Sequence, residues 1–186
     1  MDEMKILAIV GSLRKESLNR QLALCAKRIC QGRATFEIME YGDVPLMNQD
    51  IEFPSPLAVT RVRGQVKDAD GIWFFTPEYN HFFPGVLKNL IDWLSRPISE
   101  KEPQVLAGKP VALSGISPGM LGTALAQDHL VTLLSFLDMR IMNVPRLVIP
   151  KGFDLLKDGQ LQLGKSEQYL EKQADAFFNF LEKSCG

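Results

Sequence analysis

Three short polar segments of this sequence carry residues that could hold and orient a ligand. The first, residues 11–17, contains two serines and an arginine and is followed by an apolar periodic stretch. The second, residues 76–81, places a tyrosine after a glutamate, and the third, residues 116–122, is rich in Gly and Pro. Hydroxyl groups, a guanidinium and the free N–H groups at the start of a helix suit a phosphate group. An aromatic side chain beside open main-chain N–H groups suits a flat heterocycle.

The first segment matches neither of the common phosphate-binding motifs. Its sequence, GSLRKES, is not G-x-G-x-x-G and not G-x-x-x-x-G-K-[ST], so it predicts neither a dinucleotide fingerprint nor a P-loop. Ser12, Arg14 and Ser17 remain candidates for binding an anion. Ser17 is also a good N-cap, and an ordinary capped helix behind a polar turn would use the same residue types. Taken alone, the segment is compatible with both interpretations.

The third segment contains a hydrolase-like motif that we interpret differently. The run from Gly115 to Gly119 fits G-x-S-x-G, the nucleophile motif of α/β-hydrolases, with Ser117 at its centre. That mechanism needs the N–H of the residue after the serine, and Pro118 has none. His129 is the only later histidine, and it lies in a predicted helix, where we expect a partnered core or interface histidine. A serine hydrolase is therefore disfavoured, and Ser117 is read as a hydrogen-bonding partner for a ligand.

Composition and charge narrow the class of protein. Lys and Arg number 21 against 22 Asp and Glu, so no basic field favours nucleic acid or an anionic membrane. The first residues are acidic and their apolar run stops at Gly11, which is not typical of a signal peptide. Cys25, Cys30 and Cys185 form no C-x-x-C and no metal-ligand pattern. We expect free thiols, no metal ion and a cytoplasmic location.

Short apolar runs alternate with helical periodicity along the whole chain. Five βα units of this kind indicate a parallel sheet covered on both faces, an α/β fold in a single domain over residues 1–186. The compact arrangement is a doubly wound sheet of order 2-1-3-4-5, whose crevice lies where strands 1 and 3 end. Predicted strands cover residues 5–10, 35–41, 72–75, 110–115 and an irregular edge strand within 140–150; helices follow Ser17, then cover 57–69, 86–96, the leucines from Leu121 to Leu137, and the residues after Ser166.

The segments at that crevice resemble a known family. Residues 11–20 (GSLRKESLNR), 76–97 (TPEYNHFFPGVLKNLIDWLSRP) and 117–127 (SPGMLGTALAQ) are similar to the NADPH-dependent FMN reductase family, in its quinone and chromate reductase branch. The similarity runs from the first strand to about Pro145, and the P-E-Y-N…P-G-x-L-K-N-x-I-D-W run is its most specific part. The resemblance implies a flavodoxin-like fold, bound FMN, and reduction of quinones or acceptors such as chromate, azo compounds or free flavin by NADPH or NADH.

The resemblance also implies a role for each segment. The first would hold the FMN phosphate and ribityl chain, the second would flank the isoalloxazine ring, and the third would border it. No acid–base catalytic residue is required, because hydride transfer is the chemistry of the cofactor. The implied FMN-binding residues are Ser12, Arg14, Ser17, Leu18 and Asn19 in the first segment, Pro77, Glu78, Tyr79 and Asn80 in the second, and Ser117 and Gly119 in the third.

Departures from the family pattern concentrate after the second segment. His81, Phe82 and Phe83 differ from the usual residues, and Thr123 replaces a common glycine, so we expect substrate preference to reside near the first three. Relatives are dimers or tetramers, which implies a homo-oligomer with the exposed-looking pair Phe82-Phe83 and helix 86–96 at the subunit interface. The alternative is a flavodoxin-type electron carrier without turnover of its own. The near-zero net charge and the lack of a Thr/Ser-dense phosphate loop disfavour it.

Overall fold

One twisted sheet of parallel strands lies at the centre of the structure. Its strand order, with the strands numbered along the chain, is β2-β1-β3-β4-β5, and β6 also pairs with β4. The structure, a computed structural model, describes residues 3–184. Every neighbouring pair in this sheet runs parallel, which confirms the predicted order 2-1-3-4-5 and the doubly wound α/β fold. The strands are β1 Met4–Val10, β2 Ala34–Ile38, β3 Gly71–Phe75, β4 Pro110–Ile116, β5 Arg140–Ile141 and β6 Leu147–Ile149.

Helices cover both faces of this sheet. Side chains alternate along β1, so that Ile6 and Ala8 face α1 and α5 whereas Leu7 and Ile9 face the other three helices. Because both faces are buried, the central strands are apolar throughout, as in the fully buried β3. No helix within residues 3–184 is long and apolar enough to cross a membrane. The helices are α1 Leu18–Cys30, α2 Leu57–Asp68, α3 Gly85–Leu94, α4 Ala124–Phe136 and α5 Glu167–Glu182.

The predicted edge strand within residues 140–150 is two separate strands. β5 pairs with the start of β4 and β6 pairs with its end, while the residues between them leave the sheet. Pro145 lies in this break and has no N–H to donate to a ladder. The irregularity was therefore predicted correctly, but the single strand was not. After β6, the strands β7 (Leu156–Lys157) and β8 (Gln160–Leu161) form a small antiparallel hairpin.

A buried polar network joins α5 to the middle of the sheet. The indole N–H of Trp73 donates to Ser114 Oγ over 2.8 Å, and that hydroxyl donates to Gln173 Oε1 over 2.5 Å. The amide nitrogen of Gln173 in turn donates to the carbonyls of Leu113 and Pro145, at 2.7 and 3.0 Å. All three side chains are fully buried and each has a partner, so the network fixes α5 on the sheet without an unsatisfied group.

Candidate functional site

The three polar segments meet at the carboxyl ends of β1, β3 and β4. The N–H of Gly11, directly after β1, donates to the Phe75 carbonyl at the end of β3 over 2.8 Å. The N–H of Thr76, directly after β3, donates to the Ser114 carbonyl of β4 over 2.9 Å. Loop 1 (residues 11–17), loop 2 (residues 76–83) and loop 3 (residues 117–123) therefore begin side by side. This is the crevice expected in a doubly wound sheet.

Loop 1 presents unused donors in front of α1. Ser17 is the N-cap of α1, and its Oγ accepts the N–H of Asn19 over 3.2 Å. The first turn of α1 holds no acidic residue, so the positive end of the helix dipole is not neutralised. Within residues 3–184, the N–H groups of Lys15 and Glu16 donate to no protein acceptor, and the exposed Arg14 guanidinium has no partner. This combination fits a phosphate group.

Asn19 points away from loop 1 and into the sheet. Its Nδ2 donates to the Ile116 carbonyl over 2.9 Å, and its Oδ1 accepts the Ile116 N–H over 3.0 Å. The side chain is 2% exposed, so both bonds are shielded from water. The amide therefore joins the start of α1 to the end of β4. The Asn19 side chain thus holds loops 1 and 3 together, and the role that the resemblance implies for Asn19 in binding FMN stays a prediction.

Loop 2 contains a tight turn built from two unusual residues. The N–H of Tyr79 donates to the Phe82 carbonyl and the N–H of Phe82 donates back to Tyr79, at 2.9 and 3.1 Å. Asn80 and His81 lie between them with φ of 53° and 61°. Two central residues with positive φ define a type I′ turn, for which glycine is the unstrained choice. Left-handed non-glycine residues cluster at functional sites, and Asn and His tolerate this region better than most.

The carboxylate of Glu78 is directed to α4. Its Oε2 accepts the N–H of Ala126 over 3.0 Å, and Oε1 lies 3.7 Å from His81 Nδ1. The Glu78 side chain is only 9% exposed. Thr123, the N-cap of α4, makes no capping bond with its own side chain, so the cap is supplied from loop 2. The main-chain N–H groups of Asn80 and His81 have no acceptor within residues 3–184 and remain open to a ligand edge.

The aromatic pair after this turn is only half exposed. Phe82 is exposed, whereas Phe83 is 5% exposed and packs in the core against α3, so the prediction of two exposed aromatics was wrong for Phe83. His129 was expected in a partnered core or interface position, and of these the core position was wrong, while the interface position stays a prediction. It is exposed in the structure, on the solvent side of α4, and its ring lies 4.4 Å from the ring of Phe82. The helical spacing that suggested burial is satisfied by its neighbour Leu130.

Loop 3 packs against itself, which removes the hydrolase interpretation. The buried Ser117 hydroxyl donates to the Gly122 carbonyl of its own loop and is not poised as a nucleophile. Gly115 permits this close packing, because a Cβ there would lie 2.1 Å from Thr123 Oγ1 and 2.4 Å from the Thr76 carbonyl oxygen. Gly119 is exposed beside the crevice, and its carbonyl accepts the N–H of Lys151 over 3.1 Å.

A fourth segment at this edge of the sheet was not predicted from the sequence. Lys151 follows β6 in the left-handed region with φ of 53°, and the next N–H, of Gly152, donates to the Ser117 carbonyl over 2.9 Å. Gly152 also approaches Leu18 and Ile116 closely, since a Cβ there would lie 2.9 Å and 2.7 Å from their side chains. The Pro150–Lys–Gly run after an edge strand is a turn signal that could have indicated this segment.

Burial raises the pKa of three groups that lie outside loops 1, 2 and 3. The Tyr41 hydroxyl donates to the Val10 carbonyl over 2.6 Å at the end of β1, and burial raises the pKa of this phenol above its usual range. Burial likewise raises the pKa of the Cys25 and Cys30 thiols, which are free; Cys185 lies outside the described residues. No group of three His, Cys, Asp or Glu side chains within residues 3–184 could hold a metal ion.

Comparisons with known proteins agree with this geometry. The sequence profile of NADPH-dependent FMN reductases matches residues 4–154. A 2-hydroxy-1,4-benzoquinone reductase from Burkholderia sp is 37% identical over 175 residues, which cover 94% of each chain. A quinone reductase from Escherichia coli K12 is 34% identical over 193 residues, covering 98% of this chain and 97% of the relative.

A solved structure gives the same result for the fold. The flavoenzyme NAD(P)H:(acceptor) oxidoreductase FerB from Paracoccus denitrificans superposes with a TM-score of 0.86 at 34% identity, covering 97% of this chain and 98% of FerB. The fold is therefore flavodoxin-like, and the match extends over the three loops and the helices that carry them. Together with the sequence match, it shows that the chain belongs to the NADPH-dependent FMN reductase family.

Proposed function

We propose that this protein binds FMN in the crevice between loops 1, 2 and 3 and transfers two electrons from NADPH or NADH to quinones. The observation that supports the proposal most strongly is the set of free hydrogen-bond donors in loop 1, which suits an anion. Loop 1 combines open N–H groups, an arginine with no partner within residues 3–184, and a helix N-terminus whose first turn holds no acidic residue, at the carboxyl ends of β1 and β3. FMN is the cofactor of this family, and its phosphate suits such a site.

Loop 1 binds the phosphate and ribityl end. Arg14 provides the charged donor, Ser12 and Ser17 provide hydroxyl groups, and Leu18 provides apolar contact beside Gly152. Asn19 acts through the main chain of β4 and keeps this end of the crevice in place.

Loops 2 and 3 enclose the ring. The exposed Tyr79 offers apolar surface, whereas Pro77 is buried close to Gly11 at the end of β1. The main-chain N–H groups of Asn80 and His81 are open to the polar edge of the ring. Glu78 acts by fixing the turn rather than by touching the ring, because its carboxylate is bonded to α4. Ser117 shapes loop 3 through its bond to Gly122, and the exposed Gly119 leaves room beside the ring.

The chemistry requires no acid–base residue from the chain. FMN, when bound, supplies both the acceptance of hydride from the nicotinamide and its delivery to the acceptor. The protein contributes phosphate binding, ring orientation and a crevice open on one side to alternating substrates. The exposed face of Tyr79 and the exposed ring of Phe82 lie on that open side.

Quinones are the acceptors that the relatives and the crevice rim support together. Several relatives are quinone reductases by name. Large apolar side chains from all three loops are exposed at the rim, which favours a planar apolar acceptor over a small inorganic anion. These rim residues are Leu13, Tyr79, Phe82, Met120 and Leu121.

The assembly and location that we propose follow the family. The chain is a single domain that forms a homodimer or homotetramer, with the exposed surface of α3 around Val86 and the ring of Phe82 at the interface. The free buried thiols of Cys25 and Cys30 support a reducing, cytoplasmic location.

One experiment tests the proposal directly. The purified protein is examined for a flavin absorption spectrum, then titrated with NADPH and with NADH in the absence of oxygen. We expect the spectrum to bleach without a partner reductase and to return when a naphthoquinone is added. A flavin-free preparation that takes up no FMN would refute the proposal. Bound flavin that neither nucleotide reduces would identify an electron carrier instead.

A further inference from the structure

Loop 2 is attached to one face of α4 at two points. Glu78 Oε2 accepts the N–H of Ala126 over 3.0 Å, and the ring of Phe82 lies 4.4 Å from the ring of His129. Ala126 and His129 are three residues apart, so they lie on the same side of the helix. The two attachment points therefore stand before and after the turn that contains Asn80.

The turn between these two points has a strained backbone. Asn80 and His81 both have positive φ, and neither is glycine. Such residues persist only where the surroundings determine the backbone. Only two main-chain bonds, between Tyr79 and Phe82, close the turn from within. Further restraint comes from the burial of Phe83 in the core and from the two contacts with α4.

The arrangement at the start of α4 also shows that Glu78 is adapted to this contact. An N-cap side chain normally satisfies the N–H of the third helical residue, which here is Ala126. Thr123 occupies the N-cap position without making that bond. Its Oγ1 instead accepts a hydrogen bond from Nε2 of the buried Gln127 over 3.0 Å. The helix thus leaves its capping position free for a carboxylate from loop 2.

We infer that the first turns of α4 are a positioning platform for the flavin-flanking turn, with Glu78 and His129 as its positioning residues. The inference rests on the proposed function, because it assumes that this turn lies against the FMN ring. The Glu78 carboxylate sets the entry to the turn, and the ring of His129, tilted by 38° against that of Phe82, sets its exit. Correct ring orientation is a large part of hydride transfer, so a loosened turn lowers the rate of transfer more than the affinity for FMN.

The experiment compares four variants with the parent protein. Glu78→Ala removes the cap, whereas Glu78→Gln retains an oxygen that can accept the Ala126 N–H. His129→Ala removes the ring that contacts Phe82, whereas His129→Phe retains a ring there. Glu167→Ala, which removes an acidic residue from the first turn of α5, is the control. For each protein we measure the Kd for FMN, the rate of flavin reduction by NADPH in a single turnover, and hydrogen exchange of the Tyr79 and Phe82 amides.

The expected results separate positioning from general stability. Glu78→Ala should lower the reduction rate by about tenfold or more while the Kd for FMN changes by less than about threefold. Glu78→Gln should retain the rate within about threefold, because the neutral oxygen accepts the same bond. The exposed His129→Ala should show a smaller loss, of about threefold, and His129→Phe none. The Tyr79 and Phe82 amides should exchange faster in Glu78→Ala, with those of α5 unchanged.

Contrary results are equally clear. A Glu78→Ala protein that reduces its flavin at the parent rate overturns the inference, and so does a Glu78→Gln protein as impaired as Glu78→Ala. If the parent binds no FMN, the proposed function fails. In that case the exchange measurement still decides the inference, because unchanged exchange of the Tyr79 and Phe82 amides in Glu78→Ala shows that α4 does not hold the turn.

Discussion

Replacing Asn19 by alanine should weaken both the fold and the cofactor site. The change removes two buried hydrogen bonds to Ile116, of 2.9 and 3.0 Å, and leaves the N–H and carbonyl of that residue without their partner. A buried hydrogen bond contributes about 1 kcal/mol net, and an orphaned buried polar group costs about 1–3 kcal/mol. For two bonds with partial relaxation, we expect a loss of about 2–4 kcal/mol in the free energy of unfolding.

The same change should also weaken FMN binding, because it loosens the loops that form the site. Because Asn19 joins the start of α1 to the end of β4, its loss lets loops 1 and 3 separate and removes preorganisation from the phosphate site. We expect the Kd for FMN to rise about tenfold, which corresponds to about 1.4 kcal/mol. Urea unfolding of the FMN-free protein measures the first effect, and quenching of flavin fluorescence on binding measures the second.

Two further variants make this test specific. Asn19→Asp keeps the shape of the side chain but cannot donate to the Ile116 carbonyl, so it should destabilise at least as much as alanine. Asn179→Ala, on the exposed side of α5, should change the unfolding free energy by less than about 0.5 kcal/mol. The reasoning fails if Asn19→Ala unfolds within about 0.5 kcal/mol of the parent protein.

Three other changes test separate parts of the structure. Arg14→Ala should leave the unfolding free energy unchanged but raise the Kd for FMN by about 10- to 150-fold, or about 1.5–3 kcal/mol. Lys27→Ala, at the far end of α1, is the control, and an unchanged Kd in Arg14→Ala contradicts the role of Arg14 in phosphate binding. Arg96→Ala leaves the buried Glu52 carboxylate without its paired bonds of 2.7 and 3.1 Å. Urea unfolding should show that the free energy of unfolding falls by about 2–4 kcal/mol, and a fall of less than about 1 kcal/mol argues against a structural ion pair. Burial raises the pKa of the Cys30 thiol from 9.0 to about 11. The free energy of unfolding should therefore be at its full value below pH 9 and decline by about 2–3 kcal/mol as pH rises to 11. A Cys30→Ala protein that shows the same decline disproves Cys30 as its cause.

The sequence was sufficient for the sheet order because each signal was local. Apolar runs such as β3 and helical periodicities such as α5 are read within a few residues, and parallel βα units leave few ways to arrange them. Leu170, Ala174 and Phe177 recur at helical spacing after Ser166, and all three are fully buried. The crevice followed from the same topology, since ligands bind where parallel strands end.

Contacts between distant segments could not be predicted in this way. Glu78 bonds to Ala126, 48 residues away, and Asn19 bonds to Ile116, 97 residues away. Both residues were expected to face the ligand, because a polar residue in a polar loop looks the same whether it binds a ligand or a neighbouring loop. The roles implied for Asn19 and Glu78 at the cofactor stay predictions. Phe83 is a different case, since a side chain expected to be exposed is buried in the core.

The network around Gln173 has a consequence for the order in which the protein matures. The family profile ends at residue 154, yet the buried hydroxyl of Ser114 is satisfied by a residue 59 positions further along the chain. During synthesis the segments that form the crevice emerge first, and domains generally fold as units. Until α5 docks, the hydroxyl of Ser114 lacks its acceptor Gln173, and the indole of Trp73 lacks its edge contact with the ring of Phe177. The docking of α5 therefore completes the bonding of β4, the strand from which loop 3 extends.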